Sequence, residues 1–514
     1  MSANRPTAVT YYRSEAESVE RFDSMMRALI MFIFHALALA VFSDACADLQ
    51  EPIGNNVFYN STSVAVGTLK IASTAYNNTA TLCRIIGVMK YGEFNNNTLN
   101  FEVWLPPEAS YNSRYLSVGN GGFAGSIDYS SMLENVNNGY AVGGCDSGHS
   151  ESDNGASTPE SYVPYLNNHD ETLAWIHNSI AMFTEPAKAL TSIFYGKEPQ
   201  YLYYSGCSTG GAQGFALAQY HPEIFDGIYA GSPGNHYSHL ILSFLWNGLN
   251  SNATESTLSP NTLDLITDSV LGACDSFDGV EDGVLEDPTQ CHFDIFSLLC
   301  SDGQNPTADN KTVCLTLSQI QTAQKFYAGP IDVRSQTQVY PGFAFGSERQ
   351  WSLQEDSLYL DYAVPILQNL VFDNISYDYT TFNWASDIDL VNQKALPLID
   401  EIAPDLSAFQ QRGGKMIVTQ GWADPFNAPY WPIQQRNEMH QIFGTELSNF
   451  YTLFMIPGGG HCGAAAYGYE SVPATYEVLD RLVPWVEQGS KPQDLLTTSP
   501  PDGSNITKTL YPYL

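Results

Sequence analysis

The chain has 514 residues, with 21 Lys and Arg against 55 Asp and Glu, a formal net charge of −34. So acidic a surface excludes nucleic acid and anionic membranes as partners, because like charges repel. Only 15% of residues are charged and 13% are aromatic, which describes a folded chain and not a disordered one, and the length suits a catalytic domain carrying a large insertion.

The apolar run Ala28 to Phe42, interrupted only by His35, is short for a membrane span and has the length of a signal-peptide core. Arg27 precedes it, and Ser43-Asp44-Ala45 offers small residues for cleavage. Residues 1–45 are therefore expected to be a signal peptide, with translation starting at Met25 or Met26 as the reading that gives a compact leader; a type II anchor is the alternative. Sequons at Asn60, Asn77, Asn96, Asn252, Asn310, Asn374 and Asn505 agree with a secreted, extracellular glycoprotein, monomer or homodimer, free of the membrane once the signal is cleaved. In an oxidising compartment the nine cysteines (46, 83, 145, 207, 274, 291, 300, 314 and 462) should be mostly paired, with one left over. Spacing alone does not assign the pairs.

From Asn56 to Lys90 short β-type runs alternate with turns. Leu99 to Leu105 alternates apolar and polar residues, and Arg114 to Val118 is a second short strand. It runs into the glycine-rich loop Gly119-Asn120-Gly121-Gly122-Phe123-Ala124-Gly125. Tyr140 to Gly144 reads as another strand, and Asp170 to Leu190 as an amphipathic helix that Pro186 should kink or break. Tyr201 to Tyr204 then meets Gly206-Cys207-Ser208-Thr209-Gly210, and a helix follows from Ala212 to Tyr220. Gly-x-Ser-x-Gly between a strand and a helix holds a serine on a sharp elbow with its hydroxyl exposed. The bland alternative is a glycine-rich turn with a buried serine. Phe225 to Ala230 is the next strand.

After Gly234 the strand–helix alternation stops. Residues 236–412 carry four of the cysteines and many Asp, Ser, Asn, Tyr and Trp, and a structureless loop of that length is implausible. They read as an inserted lid, leaving 46–235 and 413–514 as the catalytic domain. The alternation resumes with the strand Lys415 to Gln420, a helix around Trp431 to Ile442, the strand Phe450 to Ile456 and a final helix from Ala474 to Glu487. Strands and helices at this spacing predict an α/β fold, a mostly parallel sheet flanked by helices.

A serine needs a base to take its proton and a carboxylate to orient that base. Asp424 lies just past one late strand and His461 just past the next, in the order Ser, Asp, His that α/β hydrolases use. In that architecture one oxyanion donor is the Thr209 amide and the other comes from the glycine-rich loop, Gly121 or Gly122; a merely flexible turn is the alternative for the loop. Cys207 precedes the serine and Cys462 follows the histidine, so a working triad would bring these two within disulfide range. Within the lid, Asp275, Asp278 and Asp282 on a backbone turned by glycines form an oxygen-rich set suited to Ca²⁺, with the carbonyls of Val280 and Val284 as further ligands. A solvated acidic loop is the plainer reading. Cys274 and Cys291 flank it and could close it.

GCSTGG, Asp424 in GWADP, the adjacent His461-Cys462, GNGGFAG, FDGIYAGSP and CDSFDGVEDGVLEDP together resemble the tannase and feruloyl esterase family from about Cys46 to the C-terminus. The resemblance implies an α/β-hydrolase core, structural calcium at the residues just named, and Ser208 as nucleophile with His461 as base and Asp424 as its orienter. It implies the pairs Cys46–Cys83, Cys207–Cys462, Cys274–Cys291 and Cys300–Cys314, leaving Cys145 free where relatives tend to have threonine. Ala212 departs from an arginine common in relatives, which bears on packing and not on the chemistry. The implied activity is hydrolysis of phenolic-acid esters, small or polysaccharide-linked, with feruloyl esterase preferred over tannase or another aryl esterase and no organic cofactor. A calcium-stabilised binding glycoprotein without activity is the alternative from another class, and a peptidase on the same fold has no positive feature.

Overall fold

The structure, a computed structural model, describes residues 45–514 apart from Glu51, Ala156, Ser157, Asp309, Asn310, Ala465 and Leu514, together with Ser24, Arg27 and Phe42. The expected signal segment with Met25 and Met26 otherwise lies outside the described residues, as does the sequon asparagine at 310.

Nine strands form one sheet: β1 (Val57–Val64), β2 (Leu82–Tyr91), β3 (Asn97–Leu105), β4 (Arg114–Val118), β5 (Ala141–Cys145), β6 (Tyr201–Cys207), β7 (Gly227–Gly231), β8 (Lys415–Gly421) and β9 (Tyr451–Ile456). Their order is β1-β2-β3-β5-β4-β6-β7-β8-β9. Everything from β5 to β9 is parallel, and β1, β2 and β3 form an antiparallel flank that ends on β5. Around the sheet and beyond it run α1 (Tyr129–Asn137), α2 (Ser179–Tyr195), α3 (Thr209–Tyr220), α4 (Tyr237–Ser251), α5 (Pro260–Cys274), α6 (Leu317–Ala328), α7 (Tyr430–Phe443) and α8 (Leu479–Gln488).

Alternation along each strand builds two apolar layers, because successive side chains point to opposite faces. Tyr204 of β6 joins Met416 and Val418 of β8 on the face covered by Phe183 of α2 and Phe215 of α3. Tyr203 and Ile417 point the other way, to Val136 of α1 and to Leu482 and Trp485 of α8. Both faces are therefore covered, as a mostly parallel sheet requires.

Two predicted elements differ. Pro186 lies buried inside α2 and does not end it; the irregularity falls earlier, in a π-helical turn at Ala174–Asn178, where the Trp175 carbonyl accepts the side-chain amide of Gln213. The last helix begins at Leu479, because Thr475–Tyr476 is extended and pairs with Leu495–Thr498 at the edge of a small antiparallel sheet.

Between the neighbouring parallel strands β7 and β8 the chain leaves the sheet over residues 232–414. This segment carries two apolar clusters of its own. One, with Leu240, Ile241, Val364 and Ile366, merges with Phe123, Trp175, Ala212 and Trp431. The other surrounds Leu263, Ile266, Phe326 and Trp351. The four disulfides Cys46–Cys83, Cys207–Cys462, Cys274–Cys291 and Cys300–Cys314 are closed, and Cys145 is a buried free thiol. Among the described residues no helix is long and apolar enough to cross a membrane.

Candidate active site

The buried strand β6 delivers Ser208 into the turn before α3 with φ 61° and ψ −123°, a conformation that costs a non-glycine residue energy. Three backbone bonds hold it there: Ser208 N–H donates to the Gly231 carbonyl (2.9 Å), and its own carbonyl accepts from Gly234 (3.0 Å) and Ala212 (3.1 Å). Gly210 is required because a Cβ there would stand 2.9 Å from the Asn120 carbonyl, on the passing glycine-rich loop. Ala212 is fully buried in the apolar cluster with Trp175 and Tyr237.

Asp424 and His461 come together as expected. The imidazole Nδ1 lies 2.8 Å from Asp424 Oδ2 and 3.0 Å from Oδ1. The carboxylate is fully buried and anchored by three more donors: Gln420 Nε2 at 3.0 Å, and the amides of Phe426 at 2.8 Å and Asn427 at 3.0 Å. With Nδ1 committed to the carboxylate, Nε2 is left for chemistry. Phe426 covers the imidazole at a ring-centroid distance of 4.6 Å.

Ser208 and His461 line one cavity of about 690 Å³. Among the described residues no hydrogen bond joins Ser208 to the imidazole; such bonds are commonly long in a ligand-free hydrolase and tighten around substrate. Their neighbours are joined covalently: Cys207 and Cys462 form a disulfide with a Cα–Cα distance of 5.8 Å. It closes a separation of 255 residues, which loop-closure entropy values at about 5 kcal/mol as an upper figure. Cys462 has φ 56°, and its amide donates to Ser232 Oγ at 3.2 Å, so the histidine loop is fixed on both sides of the bridge.

The glycine-rich loop lies against the start of α3. Thr209 is the first residue of that helix, so its N–H has no partner within it. Gly121 and Gly122 line the same cavity. Gly122 has φ 54°, and a Cβ would meet the Tyr362 hydroxyl at 3.0 Å, so no other residue fits easily. Its carbonyl is turned away from the cavity by Thr209 Oγ1 (2.9 Å) and Trp175 Nε1 (3.2 Å), which both donate to it.

Side chains that the sequence did not single out complete the cavity. Tyr237, Leu240 and Phe244 of α4, Tyr362 and Phe426 supply an aromatic and aliphatic lining. Asp128, Ser131, Glu134 and Thr475 add polar groups to the lining, beside Tyr476, Val478 and Leu479. His149 does not line the cavity: it stacks on Tyr165 at 4.0 Å and its Nε2 bonds the Phe123 carbonyl at 2.7 Å, bracing the glycine-rich loop from behind. Burial lowers its pKa to about 4, so it stays neutral.

The acidic loop of the inserted segment is closed by Cys274–Cys291. Each carboxylate is tied to a backbone amide: Asp275 to Gly283, Asp278 to Val280 and Asp282 to Val284. Among the described residues no three His, Cys, Asp or Glu side chains converge as a metal cluster. The donor chemistry nevertheless fits a hard cation, since all donors are oxygens and Asp275 Oδ1 is buried without a partner.

Residues 83–513 match the family model described as tannase and feruloyl esterase. The chain is 32% identical over 504 residues to an uncharacterized esterase of Xanthomonas campestris pv. campestris, covering 90% of this chain and 85% of that one. It is 31% identical over 431 residues to a probable feruloyl esterase B-1 of Aspergillus flavus, covering 80% and 78%. The crystal structure of feruloyl esterase B from Aspergillus oryzae superposes with a TM-score of 0.81 at 26% identity, covering 92% of this chain and 96% of that one. A strained serine elbow, a carboxylate-clamped histidine and this similarity along nearly the whole chain agree: the protein belongs to the tannase and feruloyl esterase family of carboxylic ester hydrolases.

Proposed function

We propose that the protein hydrolyses esters of phenolic acids through an acyl-enzyme on Ser208. The observation that carries this reading is the junction of Ser208 with the Asp424–His461 pair on one cavity, across the Cys207–Cys462 bridge. His461 Nε2 takes the Ser208 proton as Oγ attacks the ester carbonyl. The tetrahedral oxyanion is held by the amides of Thr209 and of Gly121 or Gly122, and the alcohol leaves with the proton from His461. Water, activated by the same imidazole, then releases the acid.

Leu240, Phe244 and Phe426, with Tyr237 and Tyr362, give the cavity the aromatic and aliphatic lining that a phenolic acid needs; feruloyl esters are the preferred reading and galloyl esters the alternative, because similar chains are named feruloyl esterase B. Side-by-side turnover of methyl ferulate and methyl gallate tests the preference, and a higher kcat/KM on gallate would reverse it. Failure of a fluorophosphonate to label Ser208 in folded protein would favour the non-catalytic alternative.

The same reading includes secretion and structural calcium. Four disulfides suit an oxidising compartment, and the six described sequon asparagines (60, 77, 96, 252, 374 and 505) are all exposed. Asp275, Asp278 and Asp282 with the carbonyls of Val280 and Val284 would hold the ion. Chelation should lower the melting temperature, and calcium should restore it; a melting temperature indifferent to both would remove calcium from this reading.

A further inference from the structure

We propose that Gln213 is a positioning residue that sets the glycine-rich loop against the nucleophile helix through a reciprocal amide pair with Asn120. The inference rests on the reading of Thr209 and Gly121 or Gly122 as oxyanion donors.

Gln213 sits one turn after Thr209 on α3, so both side chains point from the same face toward the loop. Each makes a rung. Thr209 Oγ1 donates to the Gly122 carbonyl at 2.9 Å. Gln213 Oε1 accepts the Asn120 backbone N–H at 3.0 Å, and Gln213 Nε2 donates to Asn120 Oδ1 at 3.1 Å. The second Nε2 hydrogen goes to the Trp175 carbonyl at 2.8 Å, and Trp175 Nε1 returns to the Gly122 carbonyl at 3.2 Å. Helix, loop and π-helical turn thus close into a ring with Gln213 at its centre.

Both amides are fully buried or nearly so, and both are saturated. Gln213 Oε1 also accepts Tyr204 Oη at 3.3 Å. Asn120 Nδ2 donates to the carbonyls of Ser126 at 2.9 Å and Cys145 at 2.6 Å. Rotating the Gln213 amide by half a turn would set its NH₂ against the Asn120 amide and its oxygen against the Trp175 carbonyl, so one orientation is enforced. No other side chain of this length supplies an acceptor and two donors in one plane. A saturated buried network of this kind is stiff, and it loses heavily when one member cannot pair.

Gln213 does not line the cavity, so its effect reaches substrate only through the loop. Oxyanion donors act on the transition state far more than on bound ester, so misplacing them lowers kcat and leaves KM nearly alone. Gln213→Glu is the discriminating variant. Its carboxylate can still accept from Asn120 N–H, but it faces Asn120 Oδ1 and the Trp175 carbonyl without a proton. We expect kcat on a phenolic ester to fall about 10²-fold at pH 8, with KM within about twofold. The variant-to-wild-type ratio of kcat should rise toward pH 5, as protonation restores one donor. Gln213→Met should show a similar loss with a ratio independent of pH. A purely structural role would lower the melting temperature without producing that pH-dependent ratio.

Equal kcat for wild type and a folded Gln213 variant, or a loss confined to KM, overturns the proposal. Where neither Gln213 variant folds, Asn120→Asp is read by the same two criteria. Ser208→Ala is run in parallel. If it retains turnover, the serine reading itself fails; if it is inactive while the folded Gln213 variants turn over normally, only the positioning role fails.

Discussion

The two walls of the catalytic cavity are built by different means. On one wall the reacting groups stand at the ends of buried strands, and each is tied to backbone: Ser208 by Gly231 and Gly234, Asp424 by Phe426 and Asn427. On the other, Tyr237, Leu240 and Phe244 of α4 and Tyr362 present side chains from helical turns of the inserted segment. Chemistry needs atoms fixed to a fraction of an ångström, which backbone amides at strand ends supply. Recognition of an aromatic ring needs area and shape, which helical side chains supply and can exchange without disturbing the sheet.

Substitutions on the two walls should therefore fail in different ways. The largest effect belongs to Ser208→Ala, which should remove turnover on the order of a million-fold while leaving the melting curve intact; a few per cent residual activity in purified protein would break the comparison at its centre. Replacing Cys207 and Cys462 together by Ala should lower stability by about 2–5 kcal/mol and depress kcat, read by denaturant unfolding and steady-state kinetics. Unchanged values would make the bridge dispensable. On the recognition wall, Phe244→Ala should raise KM for methyl ferulate about tenfold and leave a small acetyl ester nearly unaffected. An equal loss on both esters would mean that Phe244 acts on the chemistry instead.

The smallest expected effect concerns how the recognition wall is anchored. Asp400 accepts from Ser238 N–H (2.8 Å) and Oγ (2.6 Å) at the first turn of α4, and Glu401 lies beside it, fully buried with both oxygens unpartnered. Burial, then the neighbouring Asp400, push the Glu401 carboxyl well above its usual range, while His236, 3.7 Å from Asp400, is held neutral by burial. Because the folded value is raised, this contribution to stability is complete below the unfolded carboxyl value of about 4.3 and is lost as pH rises toward the folded one. Glu401→Gln should melt higher than wild type at pH 8 and match it near pH 4. The opposite ordering would show Glu401 to be ionised and stabilising.

What was legible follows the same division. The elbow at Ser208 could be read because Gly206 and Gly210 answer to local backbone geometry, and Asp424 and His461 because they follow strands whose apolar runs are unmistakable. Gln213 and Asn120 are ordinary amides in sequence, and their pairing across 93 residues is visible only once the loop folds onto α3. Phe244 and Tyr362 could be foreseen as a class, in an aromatic-rich insertion, but not by position, since helical packing within the insertion decides which rings face inward. The helix expected to kink or break at Pro186 continues through it, and a π-helical turn lies earlier, at Ala174–Asn178, where a side chain from α3 takes a carbonyl. Tertiary partners of this kind leave no local signature.

The bridge between Cys207 and Cys462 also orders events in the life of the chain. Synthesis runs from the N-terminus, so the serine elbow and the sheet's first strands emerge long before the histidine that would activate them exists. Until residue 462 has been made and oxidised against 207, the chain holds a nucleophile with no base secured beside it. The nucleophile and its base can therefore meet only after nearly the whole chain has been made, and the bridge that joins their neighbours can close only then.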